Sequence, residues 1–214
     1  MSLHVLIPAR AGSTGVPDKN IRSLAGGPSL IERAVAVATD LQPDSITVST
    51  DYPEDRLPWS CRPYHLDRPA RYATATASMS DVVIHWTSSH RLADDDTVVL
   101  LQPTSLHPDR AVLIRHAQPL LPPVISVDVY PDRWHPFYAL VPLAPVTHTL
   151  PACRQDLPLR FRANGLYYLL SGVEAKRGRI WSPPPTYVVT PGSVINIDTP
   201  EDWAEAERVW RCHG

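Results

Sequence analysis

The stretch from Leu3 to Gly27, LHVLIPARAGSTGVPDKNIRSLAGG, decides the fold. It opens with a largely apolar run, Leu3 to Ile7, which is long enough for a buried strand. The loop that follows is rich in glycine, so its backbone N–H groups can come close to a bound group and form an anion-binding hollow. Arg10 and Lys19 add two positive charges to this loop. A strand that leads into a basic, glycine-rich loop predicts a phosphate site.

A simpler alternative is that Gly12 and Gly15 only form a tight turn between a strand and a helix. Basic residues are not needed for such a turn, and Lys19 is one of only two lysines in the chain. The loop matches neither the P-loop pattern GxxxxGK[ST] nor the dinucleotide pattern GxGxxG. We therefore favour a phosphate site of another type.

Length and composition limit the class of protein. At 214 residues the chain has the size of one domain, and we predict a single domain over residues 1–214. The net charge of −2 argues against nucleic acid or an anionic membrane surface as partner. Strand-sized apolar runs, the absence of a signal peptide and three scattered cysteines indicate a soluble, cytoplasmic protein without a disulfide framework.

The pattern after the loop predicts alternating helices and strands. Ser29 and Glu32 form a capping box for a helix that ends near Leu41, and Ser45 to Thr50 form the next strand. This βαβ unit predicts a parallel sheet. Asp51 follows the strand, either as a ligand-binding residue or as a turn residue. The other predictions are a surface loop over residues 52–66, helices over 81–92 and 108–118, strands over 97–101, 124–130 and 193–198, and a C-terminal helix capped by Thr199.

Residues 7–20 resemble the opening of the cytidylyltransferases that activate acidic sugars such as sialic acids and Kdo, which is close to IPARxGSKGxxxKN. The match comprises Ile7-Pro8-Ala9-Arg10, Gly12-Ser13, Gly15 and Lys19-Asn20, and Thr14 replaces the usual lysine.

Further segments resemble the same family in order and at fitting spacing. Residues 68–78 resemble RPxxLAxDxAS, with Ala75 in place of aspartate, and residues 100–105 match the family's LLQPTS. Residues 154–168 resemble RQDLPxxYRxNGAIYI, the most specific string in the chain. Residues 196–200 resemble DIDTP, with Asn196 in place of the first aspartate.

The resemblance implies a three-layer α/β/α sandwich with a mostly parallel, Rossmann-like nucleotide-binding sheet. It implies transfer of CMP from CTP to an acidic acceptor, a sialic-acid-like 2-keto-3-deoxy sugar acid, with release of pyrophosphate. The three departures at Thr14, Ala75 and Asn196 keep two alternatives open. One is a CTP:phosphonate cytidylyltransferase of a natural-product pathway, and the other is a non-catalytic nucleotide-binding relative.

The resemblance also implies roles for individual residues. The catalytic residues would be Arg10, Lys19 and Asp198, and Mg²⁺ would be bound by Asp198 and Asn196. The nucleotide would be bound by Ala9, Arg10, Gly12, Ser13, Gly15, Lys19, Asn20, Arg68, Ala77 and Ser78. The acceptor would be bound by Gln102, Arg162, Asn164 and Tyr168, with Arg154 as a further anion-binding candidate. Residues 131–163 are irregular and apolar, and we predict that they form the contact of a homodimer.

Overall fold

The computed structural model describes residues 1–120, 122–129, 161–181 and 185–211. Within these ranges the strands are β1 (Leu3–Pro8), β2 (Ser45–Thr50), β3 (His65–Asp67), β4 (Thr97–Leu100), β5 (Ser105–Leu106), β6 (Val124–Val129), β7 (Phe161–Ser171), β8 (Thr186–Val189) and β9 (Ile195–Asn196). The α-helices are α1 (Leu30–Asp40), α2 (Met79–Ser88), α3 (Arg110–Ala117), α4 (Gly172–Lys176) and α5 (Pro200–Arg211). No helix in the described ranges is long and apolar enough to cross a membrane.

Seven of these strands form one mixed sheet in the order β3-β2-β1-β4-β7-β6-β8. All neighbouring pairs are parallel except those of β7, which runs antiparallel to β4 and to β6. The predicted mostly parallel sheet is therefore confirmed. The carboxyl ends of β1, β2 and β4 meet at one edge, and β7 brings its first half to that same edge. Strands β5 and β9 form a separate antiparallel pair.

Alternate side chains of the central strands support a layer of helices on each face of the sheet. Val5 and Ile7 of β1 pack in a cluster with α1 and α3, whereas Leu6 packs with α2 and α4. Such alternation follows from the two-residue period of a strand. Because both faces are buried, β4 has no exposed position, as its unbroken apolar sequence predicts.

Local signals located several elements correctly. Ser29 caps α1 in the predicted capping box, where its hydroxyl accepts from Glu32 N and its own N–H donates to Glu32 Oε2 at 2.9 Å. Strand β2 has the predicted bounds, while β4, β6, α2 and α3 end within a few residues of the predicted positions or are shorter.

Two predictions of irregular chain were wrong in part. Residues 52–66 were predicted to be a surface loop, but they form two 3₁₀ helices (Glu54–Arg56 and Trp59–Tyr64) and begin β3, and Tyr52, Leu57 and Cys61 are buried. The prolines obscure this apolar content. Residues 161–163 belong to β7, and the rest of the predicted dimer segment lies outside the described residues. The strand predicted over 193–198 is limited to Ile195–Asn196, because only these residues pair with β5.

Candidate active site

The glycine-rich loop leaves the carboxyl end of β1 and is fixed near its start by two hydrogen bonds. The N–H of Ala11 donates to Asp51 Oδ1 at 2.7 Å, and Asn20 Nδ2 donates to the carbonyl of Arg10 at 2.9 Å. Asp51, for which the sequence left two roles open, thus fixes the loop from the end of β2. Asn20 is buried and acts on the loop from its other end.

A second set of contacts fixes the far end of the loop at Asp18. Asp18 adopts a positive φ of 53° and accepts hydrogen bonds from Tyr52 Oη at 3.2 Å and Arg56 Nη2 at 2.9 Å. Burial, reinforced by the Asp18 carboxylate, raises the pKa of Tyr52, so its hydroxyl remains a donor. No sequence motif marks Tyr52 or Arg56, because these residues meet the loop only in the folded chain.

Lys19 connects the loop to the turn that follows β9. Its ammonium group donates to the carbonyl of Ile197 and lies 3.0 Å from Asp198 Oδ1. The Lys19 side chain is 12% exposed, whereas that of Asp198 is 78% exposed. At Gly15 a Cβ atom would overlap the backbone oxygen of Asp198, so glycine permits this close approach of loop and turn.

The turn before α5 is capped without the Asp198 carboxylate. Thr199 caps the helix as predicted, because its hydroxyl accepts from Asp202 N at 3.2 Å. The Asp202 carboxylate accepts in return from the N–H groups of Asp198 and Thr199. The Asp198 side chain therefore has no capping task.

A cavity of about 400 Å³ lies between the glycine-rich loop, the residues after β4 and the turn before α5. It is lined by Pro8, Arg10, Ser13, Thr14, Gly15, Lys19, Asn20, Arg68, Tyr72, Thr74, Ala75, Ala77, Met79, Val82, Gln102, Pro103, Thr104 and Asp198. The structure thus brings together most of the predicted nucleotide-binding residues. Three cations, Arg10, Lys19 and Arg68, face a single carboxylate among the described lining residues. This excess of positive charge suits a polyanionic ligand.

Arg68 is the most firmly held of the three cations. It is only 4% exposed, and its guanidinium donates to the hydroxyl of Ser49 at 3.1 Å and to the carbonyl of the same residue. Burial lowers the pKa of Arg68 to about 10, although the Asp51 carboxylate opposes this shift. Arg68 therefore stays charged at neutral pH.

Gln102 lines the cavity just after the end of β4, and a hydrogen bond from Arg110 holds the backbone there. Arg110 Nη2 donates to the Gln102 carbonyl at 2.8 Å and also to that of Leu166 on β7. Gly165, with a φ of +71°, lies so close that a Cβ atom would approach Gln102 Oε1 and Ser105 Oγ to 2.7 Å. Glycine at this position allows β7 to pass the side chain of Gln102.

The other predicted acceptor-binding residues lie outside this cavity. Asn164 is buried, donates to Asp128 Oδ1 at 2.8 Å and to Thr190 Oγ1 at 2.7 Å, and accepts from Leu166 N. Arg162 is exposed and lies 3.2 Å from Asp128 Oδ2. Tyr168 is buried in the apolar cluster beneath α2 and α4.

Three predicted nucleotide-binding residues and one predicted metal ligand are likewise not among the lining residues. Ser78 caps α2, since its hydroxyl accepts from Asp81 N at 3.1 Å. Ala9 is fully buried, and its N–H donates to the Ser49 carbonyl at 2.9 Å. Gly12 has a positive φ of 58°, which favours glycine. Asn196 Oδ1 accepts from the Ser105 hydroxyl at 2.7 Å.

The described residues fit a divalent cation only together with a ligand. No group of three or more His, Cys, Asp or Glu side chains in the described ranges could hold an ion. Asp198 provides one exposed carboxylate beside the cavity, and the amide oxygen of Asn196 is engaged by Ser105. Mg²⁺ prefers a few carboxylates combined with phosphate oxygens and water. Asp198 would hold the ion there, with phosphate oxygens completing its coordination.

Sequence comparisons place the chain among cytidylyltransferases. The profile of the family described as Cytidylyltransferase matches residues 4–56. CMP-N,N'-diacetyllegionaminic acid synthase from Legionella pneumophila is 30% identical over 231 residues, which cover 98% of this chain and 96% of that protein. N-acylneuraminate cytidylyltransferase A from Danio rerio is 30% identical over 220 residues, and these cover 96% of this chain but 50% of the fish protein.

Solved structures support the same fold. CMP:2-keto-3-deoxy-manno-octonic acid synthetase complexed with CTP superposes with a TM-score of 0.67 at 16% identity, over 100% of both chains. UDP-glucose pyrophosphorylase complexed with UDP-glucose gives a TM-score of 0.62 at 12% identity, also over 100% of both chains. These similarities establish the nucleotide-diphospho-sugar transferase fold. The 30% identity to the Legionella synthase over almost the full length of both proteins shows that the chain belongs to the acylneuraminate cytidylyltransferase family.

Proposed function

We propose that this protein transfers CMP from CTP to a sialic-acid-like 2-keto-3-deoxy sugar acid and releases pyrophosphate. The observation that carries the proposal is the cavity at the carboxyl edge of the sheet, where three cations surround a glycine-rich loop and face one carboxylate. A triphosphate needs this charge, and the family to which the chain belongs supplies the choice of CTP.

The proposed reaction is a displacement at phosphorus. A hydroxyl oxygen of the acceptor forms a bond to the α-phosphorus of CTP, the bond to the bridging oxygen breaks, and pyrophosphate leaves with its electron pair. The hydroxyl proton passes to solvent. Negative charge grows on the phosphate and on the leaving group, so positioning and electrostatic stabilisation provide most of the catalysis. Arg10 and Lys19 would stabilise that charge, together with the N–H groups of the loop.

Mg²⁺ is part of the proposal. When bound beside Asp198, the ion would neutralise charge on the phosphate oxygens. Lys19 contacts this carboxylate at 3.0 Å, so its ammonium group would stabilise phosphate charge beside the ion. The protein's own contribution is therefore to hold the triphosphate between the loop and the turn before α5.

The acceptor would enter from the side of Gln102. The Gln102 amide can donate and accept hydrogen bonds, and Pro103 and Thr104 extend the same wall of the cavity. Arg162 pairs with Asp128 and could reach an acceptor carboxylate only by leaving that partner. We further propose that the protein is cytoplasmic and that it forms a homodimer.

Pyrophosphate release tests the proposed function directly. Purified protein with Mg²⁺ and CTP is supplied with N-acetylneuraminic acid, N,N'-diacetyllegionaminic acid, Kdo or 2-hydroxyethylphosphonate, and UTP and ATP serve as nucleotide controls. Acceptor-dependent release from CTP with a sugar acid supports the proposal. Release only with the phosphonate would assign a phosphonate cytidylyltransferase, and CTP binding without release from any acceptor would favour a non-catalytic relative.

A further inference from the structure

A second cavity of about 740 Å³ lies between α1 and α5 and is also lined by residues 106–108 and Arg110. The two cavities share no lining residue among those described. Leu24, Val37, Leu106 and Trp210 contribute apolar side chains to the walls of this second cavity. Its volume lies within the range of about 300–1,000 Å³ that is common for small-molecule sites.

A buried cation, Arg110, contributes to this cavity. Arg110 is the first residue of α3 and is only 2% exposed. Its Nε donates to the carbonyl of Leu166 at 2.9 Å, and its Nη2 donates to that of Gln102 at 2.8 Å. No carboxylate pairs with Arg110 in the described part of the chain, and no described acceptor takes a hydrogen bond from Nη1.

The charge of Arg110 persists at neutral pH. Burial lowers its pKa to about 9, which still leaves the guanidinium protonated. Backbone carbonyls satisfy three of its hydrogen-bond contacts but do not neutralise its charge, and a buried charge without a counter-ion is costly. An anion in the second cavity would remove part of that cost.

The other charged groups in the wall, Arg33 and Glu32, have opposite charges, so the wall keeps the net positive charge of Arg110. Arg33 donates through Nε to the Pro28 carbonyl at 3.1 Å, and its guanidinium lies 5.4 Å from the centre of the Trp210 ring. Glu32 is the carboxylate among the described wall residues, and it is engaged by Ser29 and Ser60. The cavity therefore has two cations and one hydrogen-bonded carboxylate.

We propose that this second cavity is a binding site for a small amphipathic anion, with one carboxylate, sulfonate or phosphate group on an apolar body. The anionic group would accept from Arg110 Nη1, and the apolar body would lie against Leu106 and Trp210. Neither CTP nor a sugar acid has such an apolar body, so the ligand differs from the proposed substrates. Arg110 of the second cavity also donates a hydrogen bond to the carbonyl of Gln102, which lines the first cavity. This contact connects the two cavities.

Fluorescence titration with 8-anilinonaphthalene-1-sulfonate as the probe tests the site. The neutral N-phenyl-1-naphthylamine has a similar apolar body without the anion. We expect one sulfonate probe per chain, at least tenfold weaker binding of the neutral probe, and no displacement by CTP. Equal affinity of the two probes would overturn the anion assignment, and displacement of the sulfonate by CTP would place the probe in the first cavity and overturn the second site.

Two variants locate the bound probe. Arg110→Met removes the cation and should weaken sulfonate binding at least tenfold. If this buried substitution prevents folding, Ala36→Trp decides alone, since Ala36 is exposed on α1 and lines the cavity. Ala204→Trp is the matched control, because Ala204 is exposed on α5 outside the cavity wall. Ala36→Trp should weaken probe binding at least tenfold and leave CTP affinity unchanged, and unchanged probe binding in Ala36→Trp would contradict the proposal.

Discussion

At the scale of single residues, the two lysines of the chain form similar ion pairs in different surroundings. Lys19 contacts Asp198 at 3.0 Å beside the first cavity, and Lys176 contacts Asp94 at 2.8 Å on the surface. Both carboxylates are 78% exposed, so neither pair is expected to add much stability. Lys19 differs in being nearly buried against the glycine-rich loop, which indicates a role in ligand binding.

Replacing Lys19 should therefore impair the nucleotide site and leave the fold intact. Lys19→Ala is expected to lower kcat/KM for CTP at least tenfold, because a charge-assisted hydrogen bond contributes about 1.5–3 kcal/mol. Pyrophosphate release and calorimetric CTP titration measure the effect. Lys176→Ala is the matched control and should behave as the unmodified protein. Equal CTP affinity and turnover in the two variants would refute the phosphate-site assignment.

The two carboxylates give a second matched pair for the metal. Asp198→Asn should abolish turnover, since it removes the charge on the one carboxylate among the described residues of the cavity wall, whereas Asp94→Asn should have no effect. Mg²⁺ should bind the free protein poorly and bind well once CTP is present, because phosphate oxygens would supply further ligands. Mg²⁺ titration calorimetry with and without CTP provides the measurement. Tight Mg²⁺ binding without nucleotide, or full activity of Asp198→Asn, would place the ion elsewhere.

The residues that the sequence singled out in the glycine-rich loop and the C-terminal turn lie close together in the structure. Arg10, Lys19 and Asp198 meet in one cavity, as expected from the chemistry of a triphosphate site. Tyr52 and Arg56 could not be predicted, because their contacts with Asp18 arise only when β2 lies beside β1. A sequence motif also cannot distinguish a residue that binds a ligand from a residue that holds a ligand-binding residue in place.

At the scale of elements, helix starts were predictable and non-local pairings were not. A capping box involves only residues within four consecutive positions, so Ser29 and Thr199 could be identified as caps from the sequence alone. Strand β7 enters the sheet antiparallel, between β4 and β6. Its position depends on partners that are distant in sequence, and the βα alternation gave no sign of it.

Helix α2 provides a prediction at this scale. The Ser78 hydroxyl accepts from Asp81 N, and the Asp81 carboxylate accepts from Ser78 N at 3.3 Å and from the hydroxyl at 2.7 Å. Ser78→Ala should lower the free energy of unfolding by about 1 kcal/mol, the usual contribution of an N-cap. Ser78→Asn keeps a capping side chain and should restore most of that loss. Urea denaturation measures both variants.

CTP kinetics of the same two variants separate a cap from a ligand contact. With a capping role alone, KM for CTP stays unchanged in Ser78→Ala under conditions where the protein remains folded. A KM that rises in both variants, while Ser78→Asn keeps its stability, would show that the serine hydroxyl binds the nucleotide itself.

At the scale of the whole molecule, the far edge of the sheet carries exposed apolar side chains. Val129, Phe161, Tyr187 and Val189 are each about half exposed and lie on the neighbouring strands β6, β7 and β8, where Val129 is paired with Phe161. The rings of Phe161 and Tyr187 are stacked with centroids 6.3 Å apart. Apolar groups clustered in this way on a surface commonly mark an interface. The predicted dimer segment begins and ends beside this patch in sequence.

We therefore predict that two copies associate through this edge of the sheet. Light scattering should give a particle of twice 23.8 kDa at micromolar concentration. Tyr187→Lys places a charge in the patch and should shift the protein toward the monomer, since desolvating an unpaired ammonium in an interface is unfavourable. Trp59→Lys is the control, because Trp59 is exposed in the 3₁₀ helix before β3, on the opposite edge of the sheet. A monomer at all accessible concentrations would refute the dimer, and a dimer that Tyr187→Lys leaves intact would place its interface elsewhere on the molecule.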